Sequence, residues 1–221
     1  MSMTDVVPPH ILEYLDDLLP ARDPLLAELE AQGRAERIPI CGPQVGSLLA
    51  LLIRLARPSR VLEVGMAIGY SAIWMGRALR EYGGRLQTIE LNPKRIARAK
   101  DNFSRAELSD VVEILPGAAL EVLPRLQGTT YGLIFLDAEK PEYPAYFEHA
   151  VPSLPPGGLL VADNALLRGE VVPGSPAGHW SEDDRAGIRR YNSLAFAHPD
   201  LDTVLLPLRD GLTVSLKRRS P

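Results

Sequence analysis

Arg60-Val61-Leu62-Glu63-Val64-Gly65-Met66-Ala67-Ile68-Gly69-Tyr70-Ser71 is the stretch that decides the fold. An apolar run holding one acid ends at a glycine, and a second glycine opens a helical pattern. Strand, tight turn and helix in that order begin a parallel sheet covered by helices. The alternation then repeats, with strands predicted at Arg60–Val64, Leu86–Glu90, Val111–Leu115, Leu133–Asp137 and Leu159–Asp163. The helices between them are expected at Ser71–Glu81, Pro93–Ser104, Ala119–Leu126 and Tyr143–Ser153. Continuous apolar strands of this kind are buried on both faces.

The C-terminal part reads differently. Ser181, with Asp184 three residues on, caps a helix. Two strands follow, Thr203–Leu206 and Thr213–Lys217, joined by Arg209-Asp210-Gly211, and Asp-Gly is a hairpin signal. The expected architecture is α/β: a Rossmann-like seven-stranded, mostly parallel sheet with helices on both faces and a C-terminal antiparallel hairpin.

Working back from Arg60, Pro43–Ala56 is apolar almost all round, which suits a helix buried between layers. A helix capped by Asp23, with Pro24 in its first turn, is expected to stop with Gly33 just past its end. Before it, Ile11, Leu12, Leu15, Leu18 and Leu19 recur at helical spacing until Pro20. These segments divide the chain into residues 1–42, a helical cover for a site or a subunit contact, and residues 43–221, the main domain. Asn164–Trp180, with Gly169, Pro173, Gly174, Pro176 and Gly178, has the length of a lid or binding loop.

Composition narrows the function classes. The 221 residues carry 24 Lys+Arg against 28 Asp+Glu, a net charge of -4, so no nucleic-acid surface is indicated. A single cysteine, Cys41, makes neither an internal disulfide nor a structural zinc site, which fits a reducing, cytoplasmic setting. Met1 to Pro20 lacks a basic leader followed by an apolar run, and no later segment reaches membrane-spanning length without charge.

Ligands of open α/β sheets bind beyond the carboxyl ends of the strands. Here those ends carry Glu63, Gly65, Glu90, Asp137, Asp163 and Asn164. Such a cluster of carboxylates is costly unless cations occupy it. The first turn has Ala67 where the dinucleotide fingerprint has its middle glycine, which disfavours a nicotinamide cofactor; the turn is either a ligand loop or a plain βα turn. Glu90 is placed to accept from both hydroxyls of a ribose, or else belongs to the cap before Pro93. Tyr70 and Ser71 begin a helix, where free N–H groups favour a carboxylate. Asp137-Ala138-Glu139-Lys140 and Asp163-Asn164 fall on adjacent strands, and three oxygen donors without His or Cys suit a hard cation such as Mg²⁺.

Val61-Leu62-Glu63-Val64-Gly65, Gly69-Tyr70-Ser71, Ile89-Glu90, Gly117-Ala118, the Asp137 to Lys140 run, Gly157-Gly158, Asp163-Asn164 and Leu208-Arg209-Asp210-Gly211-Leu212 together resemble one family. It is the class I S-adenosylmethionine-dependent methyltransferases, specifically the cation-dependent group containing the caffeoyl-coenzyme A and catechol O-methyltransferases. The resemblance implies methyl transfer from S-adenosylmethionine to a hydroxyl of a small phenolic, catechol-like acceptor, in a homodimer. It implies cofactor contacts at Cys41, Glu63, Gly65, Met66, Tyr70, Ser71, Glu90, Ala118 and Asp137. It also implies a divalent cation, Mg²⁺ or alternatively Ca²⁺ or Mn²⁺, on Asp137, Asp163 and Asn164, with Asp137 and Lys140 catalytic and Lys140 taking the acceptor's proton. Arg168 and Trp180 fall on the substrate side.

Two departures leave alternatives open. Arg168 stands where the plant enzymes carry asparagine, so it either pairs with an acidic group of the acceptor or is a solvated loop charge. Met66 either packs beside the cofactor's thioether end or fills core space. His10, His149, His179 and His198 fit no metal spacing. The rivals are a nucleotide-cofactor oxidoreductase, which Ala67 disfavours, and a non-catalytic S-adenosylmethionine-binding protein, which the intact Asp137, Lys140, Asp163 and Asn164 set disfavours.

Overall fold

β1 (Arg60–Val64) sits inside the sheet, with Val61, Leu62, Glu63 and Val64 all buried and apolar side chains turned to both layers. Val61 joins one core and Leu62 and Val64 the other, as the period of two requires. This computed structural model describes residues 7–19, 21–176 and 178–219. After β1 come α4 (Tyr70–Arg80), β2 (Arg85–Glu90), α5 (Pro93–Arg105), β3 (Val112–Pro116), α6 (Ala119–Val122), β4 (Leu133–Leu136), α7 (Tyr143–Ser153) and β5 (Leu159–Asp163). The chain ends with α8 (Glu182–Ala197), β6 (Leu201–Leu206) and β7 (Leu212–Lys217). Ahead of β1 lie α1 (Pro9–Leu18), α2 (Pro24–Glu36) and α3 (Gly42–Ala56).

The strand order is β3-β2-β1-β4-β5-β7-β6. The first five are parallel, β7 enters antiparallel beside β5, and β6 pairs antiparallel with β7 at the edge. This is the Rossmann-like architecture expected. The order reverses between β1 and β4, so the crevice for a ligand opens at their carboxyl ends. One core lies between the sheet and α2 to α5, the other between the sheet and α7 and α8.

Several boundaries differ from expectation, each for a local reason. α2 does not stop at Gly33 but runs to Glu36, where Arg37 takes a left-handed conformation at φ 55°. Gly33 serves packing instead, since a Cβ there would lie 3.2 Å from Ile40 Cδ1. α3 is not buried all round: Leu51 and Leu55 are 52% and 73% exposed. The helix expected over Ala119–Leu126 is one α-turn followed by a 3-10 turn at Leu123–Leu126 that contains Pro124. β4 ends at Leu136, paired with Ala162, which frees Asp137 from the ladder. β6 and β7 begin earlier than expected, at Leu201 and Leu212. Pro20 lies outside the described residues. Among the described residues no helix is long and apolar enough to cross a membrane.

Candidate active site

The turn after β1 is built by alternating left-handed residues, Gly65 at φ 97°, Ala67 at 49° and Gly69 at 88°. Gly65 is required because a Cβ would come within 2.1 Å of the Asp137 carbonyl oxygen, so the ends of β1 and β4 touch through backbone alone. Ala67 accepts a conformation that disfavours side chains. Its N–H donates to Glu90 Oε2 at 2.9 Å, a charge-assisted bond that offsets the strain. Glu90 Oε1 accepts from Asn92 N at 2.8 Å. Each carboxylate oxygen keeps a second lone pair, so Glu90 retains capacity for hydroxyl donors at the turn.

Glu63 has no exposed surface, and its carboxylate accepts from the Ser71 and Thr88 hydroxyls. Burial pushes its carboxyl up to about 7, against the pull of those two donors. Any influence of Glu63 on a ligand therefore passes through Ser71 and the start of α4. Tyr70 is 1% exposed and its phenol donates to Glu30 Oε1 of α2 at 2.8 Å. What Tyr70 offers a ligand is its backbone N–H, in the first turn of a helix whose cap, Gly69, has no side chain. Met66 is 1% exposed within the core, and its carbonyl accepts from Gly69 N at 2.9 Å. Cys41, just before α3, is buried; burial pushes its thiol up first, and the nearby Asp163 and Asp137 carboxylates push it further. Ala118 lies half-buried past the end of β3, in extended backbone before α6.

At the ends of β4 and β5 the structure brings Asp137, Lys140 and Asp163 together, with Asn164 next in the chain. Lys140, 8% exposed in its side chain, places Nζ 3.2 Å from Asp137 Oδ1 and 3.3 Å from the Tyr143 hydroxyl. The ring centroids of Tyr143 and Trp180 lie 5.2 and 5.9 Å from the same nitrogen. Asp163 is 4% exposed, and its Oδ1 accepts from Asn164 N at 2.7 Å. Burial and the Asp137 charge push the Asp163 carboxyl well up. Asn164 adopts φ 62°, a conformation Asn tolerates better than most residues.

Lys140 thus pairs with Asp137, while among the described residues Asp163 has no ion-pair partner and feels the Asp137 charge. The uncompensated negative charge and hard oxygen donors fit a divalent cation. Among the described residues no three His, Cys, Asp or Glu side chains converge as a metal set; the set expected from the sequence is two carboxylates and a carboxamide, Asp137, Asp163 and Asn164.

The loop after β5 begins with a 3-10 turn, Leu167–Gly169, in which Leu167, Arg168 and Gly169 have φ of 46°, 54° and 88°. Two backbone bonds, Ala165 N to Gly211 O at 2.9 Å and Leu166 N to Asp210 O at 2.8 Å, fasten it to the β6–β7 turn. Arg168 is half exposed, with Nε 3.6 Å from Asp210 Oδ1. Sequence reasoning missed two residues. Tyr143 sits three positions after Lys140, a helical spacing that carried the only available signal. Glu170 had none: enclosed by the loop, it accepts from Gly178 N, His179 N and Trp180 N at 3.1, 2.8 and 3.3 Å and faces Arg185 at 3.6 Å. It thereby fixes the segment that carries Trp180.

With this geometry in place, the comparisons with known proteins are specific. The family model described as O-methyltransferase matches residues 22–218. A catechol O-methyltransferase of Niastella koreensis is 38% identical over 213 residues, covering 92% of this chain and 94% of that protein. A catechol O-methyltransferase of Mycobacterium tuberculosis is 34% identical, covering 96% of each. Among solved structures, an O-methyltransferase from Bacillus cereus in complex with SAH superposes with a TM-score of 0.84 at 32% identity, covering 95% of this chain and 97% of that one.

Proposed function

This chain belongs to the O-methyltransferase family and uses S-adenosylmethionine, and from that premise we propose that its acceptor is a small vicinal dihydroxy aromatic held by a divalent cation. The observation that supports this reading is the meeting of Asp137, Asp163 and Asn164 with Lys140 at the ends of β4 and β5, beside the glycine turn. The names of the two catechol O-methyltransferases agree with it.

Glu90 accepts from the ribose hydroxyls of the methyl donor, and the free N–H groups at the start of α4 take its carboxylate. Ser71, anchored on Glu63, and Gly65 line the same turn, with Met66 and Cys41 behind it and Ala118 at the adenine. Asp137, Asp163 and Asn164 would hold Mg²⁺, with Ca²⁺ or Mn²⁺ as alternatives. Such an ion, when bound, acidifies a coordinated hydroxyl. Lys140, aimed by Asp137, receives the acceptor's proton, and transfer of the methyl from sulfur to oxygen leaves S-adenosylhomocysteine. Trp180 closes the site over Lys140 and excludes water. Positioning of acceptor and donor supplies much of the rate.

Arg168 reads an acidic group on the acceptor. Its pair with Asp210 is exposed and longer than a hydrogen bond, so it costs little to exchange. Residues 1–42 cover the opening, and the protein works as a cytoplasmic homodimer, for which exposed Tyr14, Leu18, Leu51 and Leu55 on α1 and α3 supply apolar surface. Labelled methyl transfer from S-adenosylmethionine to paired vicinal diphenols and monophenols tests the reading. Diphenols are expected to react and monophenols not, with Asp163→Ala abolishing transfer. Equal transfer to both acceptor classes contradicts it.

A further inference from the structure

Tyr143 opens α7 with its side chain fully enclosed. Its ring is held edge-on by Tyr191 at 5.5 Å and tilted against Tyr146 at 5.9 Å, so the hydroxyl has a fixed direction. That hydroxyl meets three polar partners: the Leu136 carbonyl at 3.2 Å, the Asp163 carbonyl at 3.1 Å and Lys140 Nζ at 3.3 Å. A phenol has one hydrogen to donate and two lone pairs to accept with. The single hydrogen is therefore shared between two carbonyls, while a lone pair receives Lys140.

Leu136 is the last residue of β4 and Asp163 the last of β5, and the ladder between these strands ends at Leu136↔Ala162. Beyond that point Asp137 N donates to Val64 O at 2.8 Å on the β1 side and Asp163 pairs with Leu212 of β7, so among the described residues no β4–β5 pairing joins Asp137 to Asp163 directly. The Tyr143 hydroxyl bridges the two strand ends at that position and accepts from Lys140 Nζ.

We propose that Tyr143 is a positioning residue for methyl transfer: its one hydroxyl sets the spacing of Asp137 and Asp163 and the aim of Lys140. The proposal rests on reading those residues as the reacting site. The ring fills the core in any case, so only the oxygen is at issue, and Tyr143→Phe isolates it. Groups that orient ligating side chains typically contribute about 10–100-fold in metal affinity or activity.

The test uses full-length wild type and Tyr143→Phe, each loaded with S-adenosylhomocysteine, titrated with Mn²⁺ by calorimetry, with kcat and the KM for S-adenosylmethionine measured in parallel. The variant is expected to bind Mn²⁺ about 10–100-fold more weakly and to lose kcat by a similar factor, with that KM unchanged. In a Lys140→Ala background, Tyr143→Phe should cost markedly less kcat than it does alone, because the two act as a unit. Wild-type Mn²⁺ affinity and kcat in the variant, with only the melting temperature lowered, overturn the proposal. Full additivity of the two substitutions overturns its Lys140 half. Absence of Mn²⁺ binding by the wild type itself overturns the cation reading, and with it the half concerning the strand ends, while the Lys140 cycle still decides the other.

Discussion

Glu63 shows how one residue exchanges stability for a site. Its carboxyl is buried without a cation and titrates at about 7 in the folded chain against an ordinary value of 4.5. The folded state therefore holds this proton more tightly than the unfolded one. The stability it contributes is complete below about 4.5 and is lost as pH rises through about 7. Glu63→Gln removes that loss, so its unfolding free energy in urea melts should exceed the wild type's at pH 8 and not at pH 4, by on the order of 1–3 kcal/mol. An advantage equal at both pH values would contradict the account. Glu63, Glu90, Asp137 and Asp163 were legible in the sequence because an acid closing an apolar strand is a one-dimensional signal. The engagement of Tyr70 with Glu30 was not legible, since forty positions separate the two and only the docking of α2 on α4 joins them.

At the scale of elements, close approach of backbone does what side chains cannot. Gly65→Ala forces a Cβ against the Asp137 carbonyl at a positive φ, so it should abolish turnover and lower stability by about 2 kcal/mol or more. Retained activity in that variant would mean β1 and β4 part more easily than the contact implies. The lid is the counterpart. Glu170→Ala leaves three backbone N–H groups and Arg185 without their shared acceptor, and the segment bearing Trp180 loosens. Tryptophan fluorescence should become more accessible to iodide and kcat should fall, with Glu170→Gln intermediate; unchanged quenching argues against the clamp. The strands and most helix starts could be read from period and caps. The stop of α2 could not, because Gly33 is set by its contact with Ile40 rather than by the chain around it.

Across the molecule, α2 is tied to α4 and α5 by Asp23–Arg77, Glu28–Arg105 and Glu36–Arg98, pairs that are all at least partly exposed. Exposed pairs contribute roughly 0–1 kcal/mol each and are screened by salt. The docking depends on Leu25, Leu26 and Leu29 in the core. High salt should accordingly move the melting temperature little, whereas Leu29→Ala, at a site with no exposure, should cost about 2–5 kcal/mol in denaturant melts. A large salt effect with a silent Leu29→Ala would reverse that ranking. The sheet itself was foreseeable as a whole, yet its chemistry depends on which strand ends become neighbours, and the pairing of β4 with β5 is what makes Asp137 and Asp163 adjacent. We propose that this acid pair holds a cation on which methyl transfer depends. The most direct test is the rate of labelled methyl transfer from S-adenosylmethionine to a vicinal diphenol after chelator treatment and after Mg²⁺ is restored. Loss of transfer on chelation and recovery with Mg²⁺ is the predicted result; transfer at the untreated rate by chelated protein would contradict it.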